Sequence, residues 1–333
     1  MKQSVSVALV TALLALSCKD STTSPKFGAP TSIASSWAIV DVGVAGEETP
    51  TRPSVRITDA ENRPVPGVTV TYYEVSGGGT LEGREQVTNE FGVATLGRWI
   101  LGRNFGVNHI VASSPNLPLI EFKVRGIAPD AGVVAFDFAD PSGDTAARPV
   151  GGHPAVDILR VRGDFKRDSL ILTLTFASPV RPGTADATNS IGGSIELDTD
   201  DNALTGYKPP ELNFYGGTAV LGVDYVYDLF NSGSTRILLF NRFGWTRPLI
   251  SYPGNDVVIR TPLSMLGDDD GNFALAVNLG PYVWASDFFP NTGQLVVRRD
   301  GSGASIVTPR SVMSLSKSQS TYPDWKPARP NGW

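Results

Sequence analysis

Alternation with a period of two runs through most of this chain. In "DSLILTLTFASPV", Leu170, Leu172, Leu174 and Phe176 fall on one side, and Ile171, Thr173 and Thr175 on the other. That is the pattern of a β-strand with one face in a core. Similar short runs recur from about Thr31 to Leu315, separated by Gly, Pro, Asn and Asp clusters. "PSVRITDAENRPVPGVTVTYYEV" supplies two strands, Val55 and Ile57 marking the first and Val68, Val70 and Tyr72 the second. Between them Asp59 and Asn62 suit local backbone bonds, and Pro64 and Pro66 fix φ. "VTNEFGVATLGRWILG" reads strand, turn, strand, with Gly92 where a positive φ is needed and Trp99 among core neighbours. No helical period is sustained; "TPLSMLGDDDG" offers one helical turn, and "DDDGN", Asp268 to Asn272, reads as an exposed acidic turn.

The pattern therefore predicts an all-β protein of two β-sandwich domains, a smaller one over 31–128 and a larger one over 133–315. "GIAPDAG" links them, and few contacts are expected to cross it. The larger domain draws on "GSIELD", "GVDYVYDLF", "TRILLFNR", "NDVVIRTPL", "NFALAVNLG" and "GQLVVRRD". The tail 316–333, "SKSQSTYPDWKPARPNGW", has no period and is read as loose. Composition agrees: 35 Gly and 25 Pro in 333 residues supply the turns, and 41% hydrophobic residues suffice for packed cores. A net charge of -5 without a Lys/Arg cluster argues against a nucleic-acid partner.

The N-terminus has a different texture. Lys2 precedes the apolar stretch Val5 to Leu16, too short to span a bilayer comfortably and built like a secretory signal. Cys18, the only cysteine, follows it, so neither an internal disulfide nor a cysteine-based metal cluster is available. "ALSC" resembles a bacterial lipobox, with Ala15 where the usual Leu would stand. The resemblance implies a signal peptide over 1–17, cleavage before Cys18, and a diacylglycerol anchor on its sulfur. Residues 18–30, with "KDSTTSPKFGAP", then read as lipidated Cys and flexible tether.

The segments "V.ITDAENRPVPGVTVTY", "GGGTL", "VTNEFGVATLGRW" and "NHIVAS" resemble the bacterial immunoglobulin-like domain of the invasin and intimin type. That resemblance implies an Ig-like sandwich over 31–128 without catalytic residues, serving as spacer or adhesive module at a cell surface. Further on, "FADPSGDT", "HPAVDILRVRGDFKRDSLILTLTF", "GSIELDTDDNALTG" and "LGVDYVYDL" resemble in part the DOMON and family-nine carbohydrate-binding sandwiches. This implies a binding or structural sandwich, sometimes calcium-stabilised, with Asp140, Asp144 and Asp157 near the first strands and Asp198 and Asp200 at a middle turn. No haem-ligand Met or His is identifiable, so redox activity is not implied.

Candidate chemistry is sparse. A Ser-His-Asp centre needs an imidazole, and only His109 and His153 exist, without a G-x-S-x-G elbow. Two histidines in different domains make a poor zinc site. Paired carboxylates for glycoside hydrolysis could come from Asp157, Glu196, Asp198, Glu211 or Asp228. The densest cluster is "LDTDDNALTG", where Asp198, Asp200 and Asn202 alternate like the first ligands of a calcium loop. Ala203 and Pro209 stand where an EF-hand needs Gly and Glu, so the alternatives are a sandwich-edge calcium loop, completed by Asp201, a backbone carbonyl or Glu211, and a hydrated turn. Among the aromatics Tyr207, Tyr215, Trp245, Tyr282, Trp284, Phe288 and Phe289, core packing competes with a sugar-stacking platform. Trp245, Tyr282 and Trp284 are the candidate ligand contacts.

The expectation is a non-enzymatic cell-envelope lipoprotein, outer-membrane or surface-exposed. A binding sandwich would be displayed on an Ig-like spacer for adhesion or for recognition of a glycan or surface protein, with calcium as the candidate cofactor. A secreted carboxylate-dependent glycosidase is the alternative. Cys18→Ser should move the protein from the membrane to the soluble fraction and abolish any lipid mass on the mature chain. Fractionation and intact-mass spectrometry check this.

Overall fold

The computed structural model describes residues 27–38, 40–145, 156–182, 190–207, 220–229, 236–239, 244–281 and 287–308. Cys18, the signal segment, most of the tether, His153, Glu211, Tyr215, Tyr282, Trp284 and the tail 316–333 lie outside them. The described residues are all-β, with one 3-10 turn, Leu263–Leu266, where the sequence offered a helical turn.

Residues 31–127 place a three-stranded sheet against a five-stranded one. The first has the order Ser32–Ser35, Ser54–Thr58, Val93–Thr95; the second runs Val42–Val44, Ile120–Ile127, Gly106–Ser113, Thr69–Ser76, Glu85–Val87. The period-two positions meet between the sheets. Val55, Ile57 and Ala94 face Val70, Tyr72, Ile110 and Val124, and Trp99 is fully buried among them. The predicted turn chemistry is present. Asp59 accepts the backbone N–H of Gly28 at 2.6 Å and of Arg63 at 2.9 Å, and the Arg63 guanidinium at 2.8 Å. Burial alone would raise its pKa, but these donors outweigh it and hold the carboxyl down to about 2. Gly92 has φ +72°, and a Cβ there would meet the Ile57 carbonyl at 2.5 Å.

The C-terminal part is a second pair of sheets. One has the order Val133–Ala139, Ile158–Lys166, Ser169–Phe176, Asp256–Pro262, Leu249–Ser251. The other runs Gly244–Thr246, Arg236–Leu239, Tyr225–Asp228, Ser190–Asp198, Phe273–Pro281, Gln294–Arg298, Gly303–Val307. Leu170, Leu172, Leu174 and Phe176 are buried while Ile171, Thr173 and Thr175 are half-buried, as the alternation requires. They pack against Ile195, Leu197, Tyr227, Leu275 and Val277 of the facing sheet. Ser190–Asp198 is buried along its whole length. Its odd-numbered side chains feed the core. Its even-numbered side face is covered by Leu221 and Val223, clustered with Val226, Ala274 and Ala276.

The junction carries more contact than its sequence implies. Phe105, from the Ig-like part, is 4% exposed and sits in the core of the larger sandwich, 4.8 Å edge-to-face from Phe165. The Arg299 guanidinium covers the Phe105 ring at 4.3 Å. "DDDGN" is not simply an exposed turn. The Asp270 carbonyl accepts the Phe105 N–H at 2.8 Å, the Asp268 carboxylate pairs with Arg125 at 2.7 Å, and Asp269 is buried. The physical reason is spacing: the acids bracket a turn whose two sides face different modules. Phe105→Ala should cost about 3 kcal/mol through the cavity it leaves. Urea unfolding followed by tryptophan fluorescence checks this, and calorimetry should show the transition broaden as the modules uncouple.

Candidate metal centre

Asp198 ends the central strand Ser190–Asp198, on the side that Leu221 and Val223 cover. It is 1% exposed. Its Oδ1 accepts the Asn202 N–H at 3.1 Å and its Oδ2 the Gly222 N–H at 2.9 Å. Two residues on, Asp200 is exposed and accepts the Asn202 N–H at 3.0 Å and the Thr205 hydroxyl at 2.8 Å. The turn is tightened by Asp201 at φ +48°, whose carboxylate pairs with Arg298.

A third carboxylate arrives from elsewhere. Tyr207 and Val223 exchange backbone hydrogen bonds at 2.8 and 2.7 Å, bringing the 220–224 segment against the loop. Asp224 follows, accepting the Thr199 N–H at 3.0 Å and its hydroxyl at 2.8 Å. One oxygen from each of Asp198, Asp200 and Asp224 then lies within 4.8 Å of the others. Asn202, the third residue of the alternating triplet, spends its amide oxygen on the Leu204 N–H at 3.1 Å. The carboxylates that converge are Asp198, Asp200 and Asp224. Burial, with the Asp200 charge adding and the backbone donors opposing, pushes the Asp198 carboxyl up to about 6.

The cluster opens on a cleft of about 720 Å³, lined by Asp200, Asp224, Asp268, Asp269, Asp270 and Arg298 among others. Asp269 is 7% exposed. Its Oδ1 accepts the Gly271 N–H at 2.8 Å, and its Oδ2 has no hydrogen-bond partner. Burial, reinforced by the charges of Asp270 and Asp224, pushes its carboxyl up to about 8. Neither Asp224 nor Asp269 was picked out from sequence as a ligand. The available signal for Asp224 was an acid set in an apolar run, "VLGVDYVYDL", which also holds Asp228.

Other candidates lie apart. Trp245 is 54% exposed on the strand Gly244–Thr246, with the Arg247 guanidinium 5.0 Å from its ring centre, and it does not line the cleft. Phe289 is core, Phe288 half-buried, and Tyr207 packs beside Leu221. Glu196 is buried and accepts the Ser194 hydroxyl at 2.9 Å. His109 lies half-buried in the Ig-like part, its Nε2 3.6 Å from Glu121. Asp140, Asp144 and Asp157 gather at another point, near Asp287.

No protein-family model and no curated protein matches this chain. Among solved structures it is similar to the Escherichia coli adhesin FdeC, at 13% identity over 81% of this chain and 65% of that one, with a TM-score of 0.27. It is also similar to the Yersinia pseudotuberculosis adhesin InvE, at 13% over 77% and 57% with a TM-score of 0.29. The D0-D1 domain of intimin aligns at 12% over 76% and 92%, with a TM-score of 0.24. The chain spans 31% of a surface-layer protein fragment, domains 4–9 of SbsC, at 12% identity and a TM-score of 0.24. Superpositions this loose carry no argument about function.

The burial of Asp269 has a consequence for pH. In the unfolded chain this carboxyl titrates near pH 4, and in the folded protein near 8. The stability linked to its proton is complete below the unfolded value and is lost as pH rises toward 8. With chelator present, the melting temperature should fall between pH 5 and pH 8, and Asp269→Asn should flatten part of that fall. Scanning calorimetry over a pH series checks it.

Proposed function

We propose that this is a cell-envelope display protein: a lipid anchor at Cys18, a short tether, an Ig-like spacer, and a larger sandwich that recognises its ligand without catalysis. In this reading calcium at Asp198, Asp200 and Asp224 orders the recognition cleft. The observation that carries it is the convergence of three carboxylates from two chain segments at the rim of a concave acidic surface. Three carboxylates that share a point repel one another, and a hard divalent cation with oxygen preference offsets that repulsion. Among the described residues that line the cleft the one arginine, Arg298, is already paired with Asp201. A calcium ion held partly by protein and partly by water can take hydroxyl or carboxylate oxygens from a ligand, which suits a glycan or an acidic surface protein. The exposed Trp245 offers a separate flat contact on a sheet edge.

A carboxylate-dependent glycosidase draws on one observation. Asp269, buried beside Asp224, keeps its proton to about 8, as the acid of such an enzyme would. Against it, Asp198, Asp200 and Asp224 crowd one point, whereas a glycosidase pair faces across a substrate at about 5–10 Å. Tyr225, the aromatic of the lining, is only 3% exposed and offers a sugar no stacking face.

Calcium should raise the melting temperature of the chelator-stripped protein, by a free energy of about 2.7 kcal/mol at a hundredfold excess over Kd. Asp224→Asn and Asp200→Asn should each remove the share of that response that this site contributes. A glycan array probed with the whole chain should show calcium-dependent capture. Turnover of chromogenic glycosides, lost in Asp269→Asn, would establish the enzyme instead.

A further inference from the structure

The larger sandwich gathers a second set of carboxylates, away from the cleft. Asp140 follows the strand Val133–Ala139, and its N–H is held by the Leu159 carbonyl at 2.9 Å. The turn after it carries Asp144. Asp157 leads into Ile158–Lys166 and accepts the Gly143 N–H at 3.1 Å. These three belong to one sheet. The fourth acid, Asp287, starts Asp287–Phe289, which pairs with the other sheet through Phe273–Pro281. Its Oδ2 accepts the Ile158 N–H at 2.6 Å and its Oδ1 the Phe288 N–H at 2.8 Å, so it already bridges the two sheets.

Two features separate this cluster from an ordinary acidic turn. Asp140 and Asp287 are 8% and 1% exposed, so their charges cannot be dispersed in water as surface acids are. And the Oδ2 of Asp140 is buried with no hydrogen-bond partner, in a set where one oxygen each of Asp140, Asp144 and Asp287 lies within 4.8 Å of the others. The Asn291 amide nitrogen donates to Asp144 at 2.6 Å and lies 3.4 Å from the other oxygen of Asp140. Among the described residues no Lys, Arg or His pairs with any of the four acids. A buried anion needs a counter-charge, and no side chain among the described residues supplies one here.

We propose that Asp140, Asp144 and Asp287 hold a second calcium ion, which ties the opening turn of the larger sandwich to its opposite sheet. The site is independent of the cleft reading and rests on different residues. Three carboxylates, mono- or bidentate, with water completing the shell, match a hard cation of irregular, oxygen-rich coordination. Asp157 stands close enough for its charge to act on both Asp140 and Asp287. Turning the Asn291 amide over would present its oxygen instead of its nitrogen, adding a neutral donor. Magnesium, which demands near-octahedral geometry and keeps its water, fits this set less well.

The test is a calorimetric titration of the chelator-stripped full chain with calcium chloride, alongside thermal melts. The exposed Asp144→Asn should fold as the parent does and lose one bound ion, or weaken that site at least tenfold. Asp140→Asn should do the same with a larger loss of the calcium-induced rise in melting temperature. Asp224→Asn should leave this ion in place. If Asp144→Asn, folded by circular dichroism, binds as many ions as the parent with the same affinity, the proposal is overturned while the cleft reading stands. If Asp144→Asn loses an ion and Asp224→Asn loses none, this site stands and the cleft reading falls. Absence of any binding at millimolar calcium overturns both.

Discussion

Ser190–Asp198 is buried on both faces, and much of the larger sandwich follows from that. A strand puts alternate side chains on opposite sides. Ile191, Ile195 and Leu197 serve the core between the sheets. The opposite side therefore has to be roofed, and the 220–224 segment does so with Leu221 and Val223. The roof lies so close that Gly222 has no room for a side chain: a Cβ would meet the carbonyls of Asn202 and Thr205 at 2.3 Å. In return the Gly222 N–H reaches Asp198, and Asp224 arrives beside Asp200. The acidic centre is thus a product of covering a sheet, with the carboxylates at the point where strand, turn and roof meet.

Neighbours then decide what each buried carboxylate becomes. Asp59 and Asp287 are both nearly inaccessible. Asp59 is met by three backbone N–H groups and a guanidinium, and stays ionised down to about 2. Asp287 also accepts two N–H groups, but burial and the charges of Asp144 and Asp157 outweigh them, and its carboxyl is pushed up to about 7. The first is a structural anchor for a turn. The second, like Asp140 and Asp269, is held towards its neutral, protonated form unless a cation offsets its charge. The satisfied acid lies in the smaller sandwich and these three raised carboxyls in the larger one.

The two parts are not beads on a string. Phe105 completes the larger core from outside it, and the loop Asp268 to Asp270 faces the cleft on one side and Asn104, Phe105 and Arg125 on the other. A ligand or ion that engages the cleft acts on the same loop that grips the Ig-like part. The two sandwiches are therefore joined through side chains and backbone as well as through the linker.

The sequence by itself determined the all-β class, the strands and most turns. Those signals are local: a period of two in Leu170 to Phe176, Gly at positive φ in position 92, Asp and Asn beside Pro in the turn after Thr58. It also marked Asp198 and Asp200, because alternation along one turn is visible in one dimension. What only the tertiary structure decided was partnership across distance. Asp224 joins Asp198 through a roofing segment, Asp287 joins Asp140 from the opposite sheet, and Phe105 enters a core other than its own. Such pairings are set by how sheets stack and which edges meet, and no local pattern in the chain encodes the 147 residues that separate Asp144 from Asn291.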